Sequence, residues 1–296
     1  MSRTFRFGVV GGYAPSHAAW VSTARRAEEL GYSTLLIPDR TSVGILSSIP
    51  ALAVAAEATS RLRIGNYVLA NGYRHPVLLA REAATLDLLS EGRFELGLGA
   101  GVSAGEFQQM GLSFPKAGVR VSQLEETLQL LKLLFTEETV NFSGKYATVT
   151  DLKGTIKSVQ QPHPPIMVAG AGERMLKLAA KEADIIAIGS KIGAQGRDPS
   201  DPSLEQKIAW INEAAGPRAA SLELSQTIYD MEITDSKSPL PAQKGGSWVV
   251  AKRPFTTEQA VEYLLEQRER YGFSYMQIQT LQLENFGPVV ERLAGK

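Results

Sequence analysis

The chain has 296 residues and 44% hydrophobic content, enough for one large α/β domain or two small ones around a sizeable core. Lysine plus arginine equals aspartate plus glutamate at 31 each, so no overall field draws the protein to nucleic acid or to a membrane surface. Cysteine is absent, which removes disulfides, thiolate catalysis and thiolate metal ligation together, and His17, His75 and His163 lie far apart without a metal-binding spacing, so no metal is expected.

Phe5 to Val10 is a short apolar strand ending at Gly11-Gly12. Ser16 is placed to cap a helix reaching Leu30, with Trp20, Ala24 and Ala27 at helical spacing and Gly31 as its stop. Ser33 to Asp39 reads as a second, buried strand, followed by an alanine-rich helix with Pro50 near its start. Arg63 to Ala70 is a third strand, and Pro76 opens a helix carrying Leu79, Ala83, Leu86 and Leu89 on one face. The alternation continues with strands at Phe94–Ala100, Ile166–Ala169, Ile185–Gly189, Leu222–Ile233 and Tyr275–Thr280. Their helices fall at Gln123–Phe135, Glu173–Glu182, Leu204–Ala214, Thr257–Tyr271 and Glu284–Leu293. Eight strand–helix units predict a (β/α)8 TIM barrel, read as a single domain over residues 1–296, with a doubly wound open sheet as the alternative that periodicity leaves.

Three connections stand out. Residues 102–122 and 136–164 flank the fourth helix, and Tyr146 to Val159 inside the second has the look of a hairpin. Residues 236–255, before the eighth strand, carry three prolines and a Gly-Gly pair, which suits a lid with Trp248 as the side chain that covers a substrate. Lys191 to Pro202 is a further candidate for a moving loop. Met1 to Val10 shows no secretory pattern and no apolar run approaches the ~20 residues of a spanning helix. The expected location is the cytoplasm.

In a barrel the chemistry sits where the strands end. Most of those ends are small here: Gly11-Gly12, Val68 to Asn71, Gly99-Ala100-Gly101, Gly170-Ala171-Gly172 and Gly189. Within Phe94 to Ala100, Phe94, Leu96 and Leu98 are expected to face the helices, while Glu95, Gly97 and Gly99 point inward. The glycine row either opens the top of the barrel to a ligand or fits a crowded interior. Gly170-Ala171-Gly172 runs straight into a helix, whose unpaired first N–H groups suit a phosphate, although a tight turn without a ligand fits the same residues. Met175 stands where a dinucleotide fingerprint would need a third glycine, which argues against a nicotinamide cofactor.

Five segments, spread in order over nearly the whole chain, carry a family resemblance: WVSTARRAEELGYSTLLIPDR, RHPVLLAREAATLDLLSEGRFELGLGAG with the following Glu106, Phe107, Gly111, Phe114, Arg120 and Leu124 to Glu126, QQPHPPIMVAGAG, and ERYGFSYMQIQ. The combined pattern resembles the bacterial luciferase-like monooxygenase superfamily, and within it the actinobacterial branch that uses the deazaflavin coenzyme F-420. The resemblance implies a (β/α)8 barrel with an insertion after the fourth strand and a tricyclic ring lying across the barrel mouth. Asp39 would lie near that ring, and the Tyr67–Val68 peptide, often cis in such relatives, would back it together with Asn71. Gly99, Ala100 and Gly101 would approach the ring, and Gly170, Ala171 and Gly172 would receive the phosphate end.

The departures matter equally. The family often has histidine after the aspartate, where this chain has Arg40, and an aromatic or acidic residue after the glycine turn, where it has Val102. No acid or base can therefore be carried over, and Arg40 and Tyr73 are the substrate-side candidates. Arg40 is suited to a carboxylate, a phosphate or a plain ion pair, and Glu106 to the mouth or to a solvated helix start. The resemblance implies a reductase that delivers hydride from reduced coenzyme F-420 to an activated C=C or C=N bond of a small molecule. Its alternatives are an FMN-dependent two-component monooxygenase and a flavin-binding barrel without turnover. A separate coenzyme reductase and a homodimer are the implied protein partners.

Overall fold

In the computed structural model, residues 3–41, 44–193, 196–236 and 253–296 are described. Eight parallel strands close into a ring: β1 (Arg6–Val10), β2 (Thr34–Ile37), β3 (Arg63–Asn66), β4 (Phe94–Gly99), β5 (Ile166–Gly170), β6 (Ile185–Ile188), β7 (Glu223–Thr227) and β8 (Phe273–Gln279). The pairing of Ile64 in β3 with Phe94 in β4 and of Arg6 in β1 with Tyr275 in β8 completes the circle. The open-sheet alternative is thereby excluded.

The outer layer holds α1 (His17–Glu29), α2 (Ser48–Ala58), α3 (Pro76–Leu89), a short α4 (Ala104–Gln109), α5 (Ala117–Thr136), α6 (Glu173–Glu182), α7 (Leu204–Ala215), α8 (Thr257–Tyr271) and α9 (Gly287–Leu293). Local chemistry explains their starts. The Ser16 hydroxyl accepts from the Ala19 N–H at 3.2 Å, and Pro76 opens α3 while His75 Nδ1 accepts from the Val77 N–H at 3.3 Å. Trp20, Ala24 and Ala27 bury the inner face of α1, and the Trp20 indole N–H donates to the Ala51 carbonyl at 2.8 Å, tying α1 to α2.

Alternation in β4 is as expected. Phe94, Leu96 and Leu98 belong to the apolar layer between strands and helices, whereas Glu95 points into the barrel. A smaller interior cluster of Val10, Leu36, Met167, Ile185, Ala187 and Tyr275 fills the barrel, with Tyr67, Val68 and Ala169 packed on it.

Three elements differ from the sequence expectation. The third strand does not run unbroken to Ala70: after Asn66 the chain leaves the ladder at Tyr67–Val68 and rejoins β4 only as Leu69–Ala70. The seventh strand stops at Thr227, and Met231–Ile233 instead pairs in parallel with Arg253–Phe255 outside the barrel. The fourth long helix begins at Ala117, six residues before Gln123, because no glycine or proline after Gly118 interrupts it. The insertion after α5 contains the antiparallel pair Thr139–Ser143 and Thr148–Lys153. Most of the predicted lid, including Trp248, lies outside the described residues, whereas in the Lys191–Pro202 loop Ile192–Gly193 pairs antiparallel with Gly196–Arg197.

The barrel floor is ionic. Arg6 donates to Glu95 at 2.5 Å and to both Glu223 oxygens at 2.8 and 2.6 Å, and Arg63 Nε donates to Glu95 at 2.6 Å. The Tyr275 ring lies 3.5 Å beneath the Arg6 guanidinium. Burial opposes ionisation of Glu95, but the Arg6 and Arg63 charges outweigh it and hold its carboxyl below the usual carboxylate range. A depressed folded-state value stabilises the fold above the unfolded carboxylate range and is lost as pH falls through the folded value. Glu95→Gln is therefore expected to cost roughly 3–5 kcal/mol at neutral pH, because it takes the carboxylate from Arg63 and leaves Arg6 with Glu223 alone. Denaturant titrations should show the gap from the unsubstituted protein narrowing below about pH 4.

Candidate active site

The mouth of the barrel is assembled from loops that the strands deliver to their carboxyl ends. The Tyr67–Val68 peptide is cis, as the resemblance implied. Its neighbourhood explains the glycine row. A Cβ on Gly97 would overlap the Asn66 carbonyl, and one on Gly99 would sit 2.8 Å from Val68 Cγ2. These two glycines leave room for the Asn66–Val68 segment, which packs against β4. Gly101, at φ +83°, needs glycine for its turn and also sits against the Phe107 ring, as does Gly72 from the other side. Ala100 between them has its carbonyl held by Arg120 Nε at 3.2 Å.

Asp39 follows β2. Its carboxylate accepts from both terminal nitrogens of Arg74 at 2.5 and 3.1 Å and from the Ala70 N–H at 3.2 Å. It thus ties the β2 end to the segment Ala70–Arg74, within which Asn71 opens a single 3-10 turn ending at Tyr73. Tyr67 turns the other way, and its hydroxyl lies 2.6 Å from the Thr227 hydroxyl at the end of β7. Burial pushes the Tyr67 phenol well up from its ordinary value.

Arg40 is not a free anion receptor. Its Nε donates to Glu106 at 2.7 Å. Glu106 in turn is not a solvated helix-start carboxylate; it is buried at 5% exposure and also accepts from the Tyr73 hydroxyl at 3.3 Å. Ser103 caps α4 on the Glu106 N–H, which turns Glu106 and Phe107 inward together. Burial, and next the Glu106 charge, leave the Tyr73 phenol pushed up to about 12. Tyr73, Phe107 and Phe114 form a run of rings with centroids 4.7 and 5.0 Å apart, closed by Arg120 over Phe114. Arg74, Phe107 and Arg120 belong to this frame and carried no role in the sequence reading, although all three lie in the segments that bear the resemblance.

The turn Gly170-Ala171-Gly172 follows β5, the neighbour of β4 in the ring. Gly170 is glycine because a Cβ there would overlap Met175, the residue at the third fingerprint position. Gly172 differs from Gly97, Gly99, Gly101 and Gly170. Its φ is −88°, a Cβ would meet nothing within 4 Å, and it caps α6 without a side-chain hydrogen bond. The protein itself does not require glycine there. A bare helix start facing open space is what a phosphate needs in order to approach backbone N–H groups.

Residues 2–198 match the family model for luciferase-like monooxygenases. The chain belongs to that family. Among its relatives, the F420-dependent glucose-6-phosphate dehydrogenase of Amycolatopsis mediterranei (strain U-32) is 34% identical over 55% of this chain, a match spanning about half, 51%, of that enzyme. The enzyme of the same name from Kineococcus radiotolerans is 27% identical over 84% of each chain. The coenzyme F420-dependent tetrahydromethanopterin reductase from Methanopyrus kandleri superposes with a TM-score of 0.79 at 19% identity, covering 98% of this chain and 99% of that one. That likeness extends the shared fold well past the segment matched by the family model. Among the described residues no helix is long and apolar enough to cross a membrane, and no three His, Asp or Glu side chains gather as a metal site.

The two kinds of glycine separate by experiment. Gly97→Ala should destabilise the luciferase-like barrel by about 1–3 kcal/mol, since the Asn66 carbonyl has to move. Gly172→Ala should leave the melting temperature unchanged; thermal unfolding of both variants checks this.

Proposed function

We propose that this luciferase-like protein is a deazaflavin (coenzyme F-420)-dependent oxidoreductase that reduces an activated C=C or C=N bond of a small molecule. When bound, the coenzyme supplies the hydride. The chain's residues bind and orient. Gly172 and the start of α6 would take the phosphate, Val68 and Tyr67 would support the ring, and Gly99 to Gly101 would border it. Asp39 would act by holding Ala70 and Arg74 in place beside the ring. A separate enzyme would regenerate the reduced coenzyme, and the reading is compatible with a homodimer.

The observation that carries the direction of reaction is the pairing of the mouth carboxylates. Removing hydride from an alcohol requires a base to take the hydroxyl proton. Asp39 is held by Arg74 and Glu106 by Arg40, so each is committed as an ion-pair acceptor. Reducing a polarised double bond needs no base; it needs orientation and a proton donor. Tyr73, pushed up to about 12, keeps its proton at neutral pH; its long 3.3 Å bond to Glu106 is the one a substrate carbonyl would compete for. The same pairing cancels the four charges two by two, which favours a neutral or carbonyl-bearing substrate over a phosphorylated one.

Titration with the deazaflavin coenzyme and with FMN tests the cofactor, and the deazaflavin should bind more tightly. Anaerobic turnover with the reduced coenzyme should proceed; an FMN preference with oxygen-dependent turnover would establish the monooxygenase reading instead. Tyr73→Phe should lower kcat/KM about tenfold, the worth of one hydrogen bond, and leave coenzyme affinity within about twofold. Asp39→Ala should weaken the coenzyme itself, measured by fluorescence titration.

A further inference from the structure

Behind the Gly170–Gly172 turn lies an ion pair that the proposed chemistry does not use. Lys207, on the first turn of α7, and Asp201, in the loop before it, have side chains 3% and 0% exposed. The ammonium donates to the Asp201 carboxylate at 2.7 Å and to the Gly189 carbonyl at 2.8 Å. The Asp201 carboxylate also accepts from the Lys191 N–H at 2.9 Å. Gly189, gripped in this way, donates its own N–H to the Gly170 carbonyl at 2.8 Å.

The connections form one line: α7, ion pair, end of β6, phosphate turn. A fully buried pair is an expensive way to gain stability, because desolvation cancels much of the attraction. Its return is geometry. The pair clamps the backbone at Gly189 and at Lys191, two points of a loop rich in glycine, and the clamped peptide holds Gly170 from behind. Gly172, whose open face no packing inside the protein explains, lies two residues further along.

We propose that Lys207 and Asp201 are positioning residues for the phosphate end of the coenzyme, setting the Gly170–Gly172 turn through the Gly189 peptide. This rests on the deazaflavin reading of the site. The pair touches the chain at Gly189 and Lys191, whereas Asp39 is held by Arg74 and Ala70 and Tyr67 by Thr227, so the direct effect of the pair falls on the tail end.

The test uses the full-length protein and two ligands, the deazaflavin coenzyme and the same deazaflavin with its phosphate removed. The unsubstituted protein should favour the phosphorylated ligand. Lys207→Met and Asp201→Asn should each weaken the phosphorylated ligand by about tenfold or more and the dephosphorylated one by less than about twofold. Lys207→Arg, which keeps charge and donors, should recover much of the preference and serves as the readout if the methionine variant folds poorly. A preference that survives all three substitutions, or an equal loss for both ligands, overturns the positioning role. No preference in the unsubstituted protein overturns the phosphate cradle itself, and the positioning role with it.

Discussion

The approach of the Asn66–Val68 segment to β4 is the contact on which the mouth depends. It displaces the chain from the barrel ladder after Asn66, and β4 accepts it only because Gly97 and Gly99 have no side chains. The detour delivers Val68 to the top of the barrel interior and Tyr67 towards Thr227. It then returns the backbone at Leu69–Ala70, where Asp39 meets the Ala70 N–H. Replacing either glycine would therefore disturb packing, the Asp39 contact and the proposed ring platform at once.

Around that platform the charges are matched locally. Each mouth carboxylate has its own guanidinium, and each guanidinium also organises a loop: Arg74 the turn after β3, Arg40 the inward-facing start of α4. Such pairs in half-buried positions add modest stability, and the bidentate Arg74–Asp39 fork also fixes side-chain direction, since it tolerates little rotation. The two carboxylates of the mouth are thereby fixed in direction and matched in charge. Selectivity in such a site rests on shape and on a few directed donors such as the Tyr73 hydroxyl, not on a field that attracts anions.

The barrel was legible in the chain because its signal is local. Apolar runs, capping serines and Pro76 mark the elements without reference to partners. The inward aim of Glu95 followed from alternation alone. What escaped was set by partners distant in sequence. Nothing near Arg40 announces Glu106, which is brought to it by a serine cap on a six-residue helix. Gly97 and Gly172 look equally informative in a list of glycines. Only the Asn66 carbonyl over the first, and the open space before the second, show that packing requires one and not the other. The break in the seventh strand was hidden for a similar reason: Met231–Ile233 has strand chemistry, and its partner Arg253–Phe255 is twenty residues away. Lys207 and Asp201 are six positions apart across the start of a helix, a spacing that carries no pairing signal.

The ionic floor bears on how the chain could be divided. Arg6, Arg63 and Glu95 come from β1, β3 and β4, whereas Glu223 comes from β7. A fragment ending before β5 would carry two of these guanidinium groups and one carboxylate, and the remainder would hold the missing anion. Each half-barrel thus carries inside its curve a charge whose partner lies in the other. Joining them is selective by sign, and a duplicate of the first half could not take the place of the second.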